Sequence, residues 1–314
     1  MQPPPWKQAD WLLKTESVVT EAVLEAGYTV SGSLSTVKSW GRSHLATLPT
    51  SDGPMWIKHA YRLPPGEEQV LELLAARHPD QVPDVVTTWT GGVAMKRLRG
   101  VELTEEHSLA IWCEAARMIG QIAAAEEAYA DDWLALGVRD RRPNAFAAAL
   151  DKLLESPVVA ALDAPLKADF SASRDKFVER YAAGFNRAPT LVHQDSGCCN
   201  IHVELEKDSS NPVLFDWSDV VVGHPAYSCD RLLDQVPVER QAAVTEAFCE
   251  PLGMTITEYK AARRSNVLHE VLRYHDELMW LHPEDELYGN LVGSVQSQIG
   301  VLMRHEASQQ TLST

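Results

Sequence analysis

Leu191-Val192-His193-Gln194-Asp195-Ser196-Gly197-Cys198-Cys199-Asn200-Ile201 is the stretch on which the reading of this 314-residue chain turns. It sets an H-x-D-x-x-x-x-N pattern between a short apolar run and a second one, Ile201–Leu205. Sixteen residues beyond Asn200, Val213-Leu214-Phe215-Asp216-Trp217 is an apolar strand pattern that ends on an aspartate. The interval from Asp195 to Asn200 lets one tight loop present both side chains to the same cleft. A neighbouring strand then brings Asp216 to them.

This β-rich island, Thr190–Trp217, interrupts a run of helical patterns, and the periodicity changes character upstream of it. Residues 8–26 predict an amphipathic helix with Trp11, Leu12, Val18, Val19, Ala22 and Val23 on one face, closed by Gly27. Short β-prone runs follow at Leu34–Val37, His44–Leu48 and Met55–Ala60, the last two joined by the Ser51-Asp52-Gly53-Pro54 turn. Glu67–Arg77 then reads as a helix, and Val85–Trp89 and Val93–Met95 as strands joined through Gly91-Gly92. Beyond Leu98 the chain becomes mostly helical. Thr104 is expected to cap a helix through Tyr129, and further helices are expected near 143–155, 165–186, 237–249, 256–281 and 285–306. The polar tail Ser308–Thr314 is expected to fray. The predicted organisation is an N-terminal lobe over 1–97, including the 8–26 helix, and a helical lobe over 98–314.

Composition narrows the function classes. The net charge is −16, yet residues 1–100 carry ten residues of each sign, so the whole excess lies after them. Such an acidic second part repels nucleic acid and anionic membranes and favours a cationic small molecule, with a surface charged for solubility as the alternative. No apolar run approaches the ~20 residues of a membrane span. The start Met1-Gln2-Pro3-Pro4-Pro5-Trp6 lacks the basic-then-apolar pattern of a secretory leader. Five cysteines without a C-x-x-C pair fit a reducing compartment, so a cytoplasmic location is expected.

Phosphoryl transfer explains why these residue types occur together. One carboxylate must sit beside an acceptor hydroxyl and take its proton, and a second carboxylate with an amide oxygen must hold Mg²⁺ against the phosphates. The stretch around Asp195 and Asn200, with Asp216-Trp217, resembles the catalytic loop and metal-binding aspartate of the aminoglycoside phosphotransferase and choline kinase-like superfamily. The continuation through Gly223-His224-Pro225 to Asp230 strengthens that resemblance. Protein kinases instead carry D-F-G and a segment ending in A-P-E, and neither occurs here.

The resemblance implies a two-lobed, protein-kinase-like α+β fold, with a small β-rich N-terminal lobe, a larger mostly helical C-terminal lobe, and ATP (or GTP) in the cleft between them. Asp195 is then the catalytic base, and Asn200 and Asp216 the Mg²⁺ ligands. His193 and Asp230 support the catalytic loop. Lys58, ending the strand Met55-Trp56-Ile57-Lys58, holds the phosphates and pairs with Glu67, chosen over Glu68 because Val70, Leu71 and Leu74 share its inward face. Ser39-Trp40-Gly41-Arg42-Ser43 is the loop over the phosphates, so Ser39, Gly41 and Ser43 join Lys58, Glu67 and Met95 as nucleotide-binding candidates. Asp219 stays open between aiding the metal and capping a turn. Cys198 and Cys199 read as small filler, with oxidation sensitivity as the alternative.

The acceptor is expected among the C-terminal helices, where Glu270, Asp276, Glu277 and Trp280 offer carboxylates and an aromatic ring to a cationic molecule such as an aminoglycoside or amino sugar. Choline, homoserine and sugar acceptors remain alternatives, as do a pseudokinase without turnover and a protein kinase.

Overall fold

The computed structural model describes residues 4–60, 65–98, 100–205 and 210–311. Helix α1, Trp11–Glu25, precedes strands β1 (Ser35–Ser39), β2 (Ser43–Thr50) and β3 (Gly53–Ala60). Helix α2 (Glu67–Arg77) and strands β4 (Val85–Trp89) and β5 (Gly92–Lys96) complete an antiparallel sheet of order β1-β2-β3-β5-β4. Pairing puts Leu45 opposite Lys58, Thr47 opposite Trp56, and Trp56 opposite Met95. Alternation along β2 and β3 then divides the sheet into two faces. Ala46, Leu48, Met55, Ile57 and Ala94 face outward and are sealed by Val19 and Val23 of α1. Trp56 and Lys58 therefore face inward.

The remaining chain forms strand β6 (Val101–Glu102), helices α3 (Leu109–Glu126) and α4 (Ala130–Leu136), strand β7 (Arg139–Asp140), and helices α5 (Pro143–Leu154), α6 (Pro157–Ala160), α7 (Ala164–Ala172) and α8 (Arg174–Gly184). Strands β8 (Thr190–Val192), β9 (Ile201–Leu205), β10 (Ser210–Leu214) and β11 (Val221–Gly223) follow. Helices α9 (Asp230–Gln235), α10 (Gln241–Cys249), α11 (Ile256–Arg263), α12 (Asn266–Leu278) and α13 (Glu286–Thr311) end the described chain. Two small sheets, β10-β9-β6 and β7-β11-β8, carry the island. This is the β-rich N-terminal region and mostly helical C-terminal part that the sequence predicts. One core nevertheless crosses between them, because Val70, Leu71, Val93 and Met95 pack in the same cluster as Trp112, Ile119, Leu214 and Trp217.

Several boundaries differ from the periodicity. Thr104 does not cap α3; its N–H and hydroxyl meet His107 Nδ1 in a separate turn, and Ser108 stands at the N-cap position. The helices expected over 165–186 and 256–281 each divide, at Ser173 and at Arg264–Ser265. The tail expected to fray remains helical to Thr311, and residues 312–314 lie outside the described chain.

Beneath α1, the rings of His44 and His59 lie 6.2 Å apart, with Trp11 edge-on to both. Burial, and then His44, push the His59 pKa down to about 4 from 6.5. The folded protein keeps this ring neutral while the unfolded chain takes up a proton, so stability is lost as pH falls from 6.5 toward 4. His59→Gln is expected to flatten the fall in melting temperature across that window, read by thermal unfolding at stepped pH. An unchanged pH dependence would contradict this.

Candidate active site

Lys58 organises the site. Its Nζ lies 2.7 Å from Glu67 Oε2 and 2.6 Å from Asp216 Oδ1, so the inward face of β3, the first turn of α2 and the turn after β10 meet on one ammonium. Glu67 Oε1 also accepts the Trp217 N–H at 3.0 Å. Burial opposes the charge on Lys58, but Asp216 and then Glu67 outweigh it and raise its pKa. Burial alone would also raise Asp216. Lys58, with Arg42 behind it, instead holds that carboxyl well below the usual carboxylate range. Asp216 is the one non-glycine residue with positive φ among those described, at φ 63°. A left-handed aspartate is uncommon, and here two bonded neighbours, Lys58 and Ser218 Oγ, fix its carboxylate.

The catalytic-loop candidates are tied to the same turn. His193 Nε2 donates to Phe215 O at 3.0 Å, and its Nδ1 accepts the Asp195 N–H at 3.2 Å. These partners assign the proton to Nε2, and burial lowers the ring's pKa, keeping it neutral. His193 thereby ties the backbone at Asp195 to that at Phe215. Asn200 donates its amide to Asp195 O at 2.7 Å, and Phe215 N donates to Asn200 O at 3.0 Å. Gln194 reaches Asp219 O at 2.5 Å, and Ser196 Oγ donates to Ser228 O.

Asp230 does not support this loop. Its carboxylate binds Tyr259 OH at 2.9 Å and Arg263 Nε at 2.7 Å, anchoring α9 to α11 instead. Gln235 of α9 takes the expected part, accepting the Cys198 N–H at 2.7 Å. Burial pushes the Cys198 and Cys199 thiols above their usual pKa, so neither is a ready thiolate.

In the loop from Ser39 to Ser43, Ser39 is exposed and the Ser43 hydroxyl is bonded by the Trp40 indole. Gly41 packs closely against the Asp285 carboxylate: a Cβ there would lie 2.1 Å from Asp285 Oδ2, so that side chain would have to move. Met95, 8% exposed, and Trp56 stand opposite each other on the inward face of the sheet.

The acceptor candidates correct the simplest reading of the acidic lobe. Asp276 is held by Arg139 at 2.9 Å and by Arg141. Glu277 lies 3.0 Å from Arg42 and 3.5 Å from Arg273. Glu270 has one guanidinium partner, Arg273 at 3.1 Å, and Trp280 is half-buried just past α12. Arg231 at 3.4 Å and Arg273 at 3.5 Å flank Asp195 itself. Asp219 pairs with Arg42 at 2.5 Å. The sequence reading missed these arginines. On α12 the signal was present, since Arg273 lies three residues after Glu270 and four before Glu277, spacings that bring helix side chains together.

The donor set suits a divalent ion only in part. Asn200 spends its amide hydrogens on Asp195, which leaves its oxygen as acceptor, and Asp216 offers the carboxylate now paired with Lys58. Among the described residues no three His, Cys, Asp or Glu side chains converge as a metal site. An ion here would need phosphate oxygens to complete its shell, the arrangement typical of Mg²⁺.

Comparison with known proteins follows the same geometry. The family described as phosphotransferase enzyme family (APH) matches residues 57–264. The apoenzyme of macrolide 2'-phosphotransferase MphH from Brachybacterium faecium superposes with TM-score 0.60 at 17% identity, covering 91% of this chain and 98% of that one. The GDP and kanamycin complex of APH(2")-IIia gives TM-score 0.61 at 15% identity, covering 95% and 99%. The streptomycin-ATP-APH(2")-IIa ternary complex gives 0.56 at 15%, covering 91% and 95%. No curated protein matches the chain.

Glu67→Ala removes a buried partner of Lys58 and the acceptor of the Trp217 N–H. It is expected to lower unfolding stability by about 3 kcal/mol, as breaking a buried ion pair does. Urea denaturation checks this, and a loss below ~1 kcal/mol, the worth of an exposed pair, would contradict the buried geometry.

Proposed function

Because this chain belongs to the phosphotransferase enzyme family, we propose that it moves the terminal phosphate of ATP or GTP onto a hydroxyl of a small molecule, with Mg²⁺. The observation that carries this reading is the joining of Lys58, Glu67 and Asp216 to the loop that holds Asp195 and Asn200. In this reading the 1–97 lobe binds the nucleotide beneath the Ser39–Ser43 loop, with Trp56 and Met95 bounding the base. The 98–314 lobe supplies the catalytic loop and receives the acceptor.

Lys58, oriented by Glu67, exchanges its bond to Asp216 for the nucleotide phosphates. Asn200 and Asp216 would hold Mg²⁺, which neutralises charge on the phosphates when bound. Asp195 orients the acceptor hydroxyl and accepts its proton. Most of the rate comes from alignment and fixed charges, since the protein forms no bond to the migrating group.

Asp276 and Glu277 each face two guanidiniums, which leaves them less able to bind a cation than Glu270, which faces one. Glu270 and Trp280 are the positions better placed to meet a cationic acceptor such as an aminoglycoside or amino sugar. Kanamycin and streptomycin in the complexes of the structural neighbours favour that class. The free cysteines and the lack of any described helix able to cross a membrane fit a cytoplasmic location.

The test is phosphate transfer from labelled ATP and GTP across aminoglycosides, amino sugars, choline and neutral sugars. Asp195→Asn is expected to keep nucleotide binding and lose at least ~100-fold in turnover, the range for general-base removal. Asp216→Ala is expected to lose the strengthening of nucleotide binding by Mg²⁺, read by calorimetry. Wild-type turnover in Asp195→Asn would end the base assignment.

A further inference from the structure

Arg42 is a half-buried charge that the roles above leave unused. It is the only cation in Ser39–Ser43, and its guanidinium crosses the cleft to Asp219 at 2.5 Å and Glu277 at 3.0 Å. Asp219 lies three residues after Asp216, and Glu277 shares Arg273 with Asp195. Arg42 thus bridges the interval between the turn that follows Asp216 and helix α12, whose Arg273 reaches Asp195. In an in-line transfer the migrating phosphoryl group occupies that interval, with charge spread over its equatorial oxygens.

Two features separate Arg42 from a simple latch. The loop is already held shut without it: Trp6 Nε1 donates to Trp40 O at 2.6 Å, Lys7 pairs with Asp285 at 3.1 Å, and Asp285 covers Gly41. A guanidinium also carries five N–H donors, and two ion pairs do not exhaust them. The side chain keeps 18% of its surface exposed, so donors remain for a group in the cleft. Burial opposes its charge, yet Asp219 and then Glu277 hold its pKa above the usual arginine value.

Resting on the phosphotransferase reading, the geometry points to Arg42 as a further catalytic residue whose spare N–H groups donate to the equatorial oxygens of the migrating phosphoryl group. The bond from the terminal phosphorus to the bridging oxygen of the nucleoside diphosphate breaks as the bond to the acceptor oxygen forms. The acceptor's proton passes to Asp195, and Arg42 keeps all its bonds. Asp219 and Glu277 place the guanidinium beforehand, so no reorganisation is needed when charge develops.

The experiment compares affinity for MgADP alone with affinity for MgADP plus aluminium fluoride, a mimic of the planar phosphoryl group, by calorimetry. Wild type is expected to bind the fluoride complex at least ~100-fold more tightly than MgADP, as transition-state mimics do. Arg42→Ala is expected to bind MgADP within about threefold of wild type and to lose at least ~tenfold of that tightening, the scale of one lost charged donor. Arg42→Gln, which can still hydrogen-bond both carboxylates, is expected to show the same loss, and covers the case in which the alanine variant misfolds. Asp285→Asn, which loosens the same loop without touching the guanidinium, is expected to keep the tightening. Full tightening in Arg42→Gln, or an equal loss in Asp285→Asn, would overturn the assignment. A wild type that binds no MgADP would remove the phosphotransferase reading itself, a failure visible before any variant is made.

Discussion

The ammonium of Lys58, enclosed between Glu67 and Asp216, is the interaction on which the rest of the site depends. A buried cation without carboxylates costs several kcal/mol, so its two partners cannot drift. Holding them fixes α2 against β3 and fixes the turn at Asp216 in its left-handed conformation. Through Phe215 that turn is bonded to His193 and Asn200, and the loop that carries Asp195 inherits its position. One charge thereby sets the relative placement of four chain segments.

A second layer of charge governs the mouth of the cleft. The C-terminal part is strongly acidic, yet several carboxylates on and facing α12 are not free. Arg42, Arg273, Arg139 and Arg141 neutralise Asp219, Glu277 and Asp276. An amine entering here would have to displace a guanidinium, which binds carboxylates in two-pronged geometry more favourably than a point charge does. Overall charge therefore speaks to long-range attraction, while the local pairs decide which positions can receive the acceptor.

Much of this was legible in the chain. Strands β2 and β3 alternate in burial and α2 buries Val70, Leu71 and Leu74 at helical spacing, whereas β1 and β4 show no such alternation and are legible only from β-prone residues between turn signals. Lys58, Glu67, Asp195, Asn200 and Asp216, singled out by motif and family resemblance, come from a strand, a helix start, a loop and the turn after β10, and hydrogen bonds link them. What escaped depends on contacts distant in sequence. The break at Arg264–Ser265 leaves no mark on the hydrophobic period. Thr104 looks like a cap until His107 claims it. Asp230 fits a motif read by spacing, but Tyr259 and Arg263 reach it first. Arg42 lies 177 residues from Asp219, a pairing no local pattern reveals.

The most direct measurement is a crystal structure with a non-hydrolysable ATP analogue and Mn²⁺ in place of Mg²⁺, the metal located by its anomalous signal. The account predicts one ion bridging Asn200, Asp216 and the phosphates, with Lys58 turned from Asp216 onto a phosphate oxygen. A nucleotide bound outside the cleft, or an ion that touches neither Asn200 nor Asp216, would contradict it.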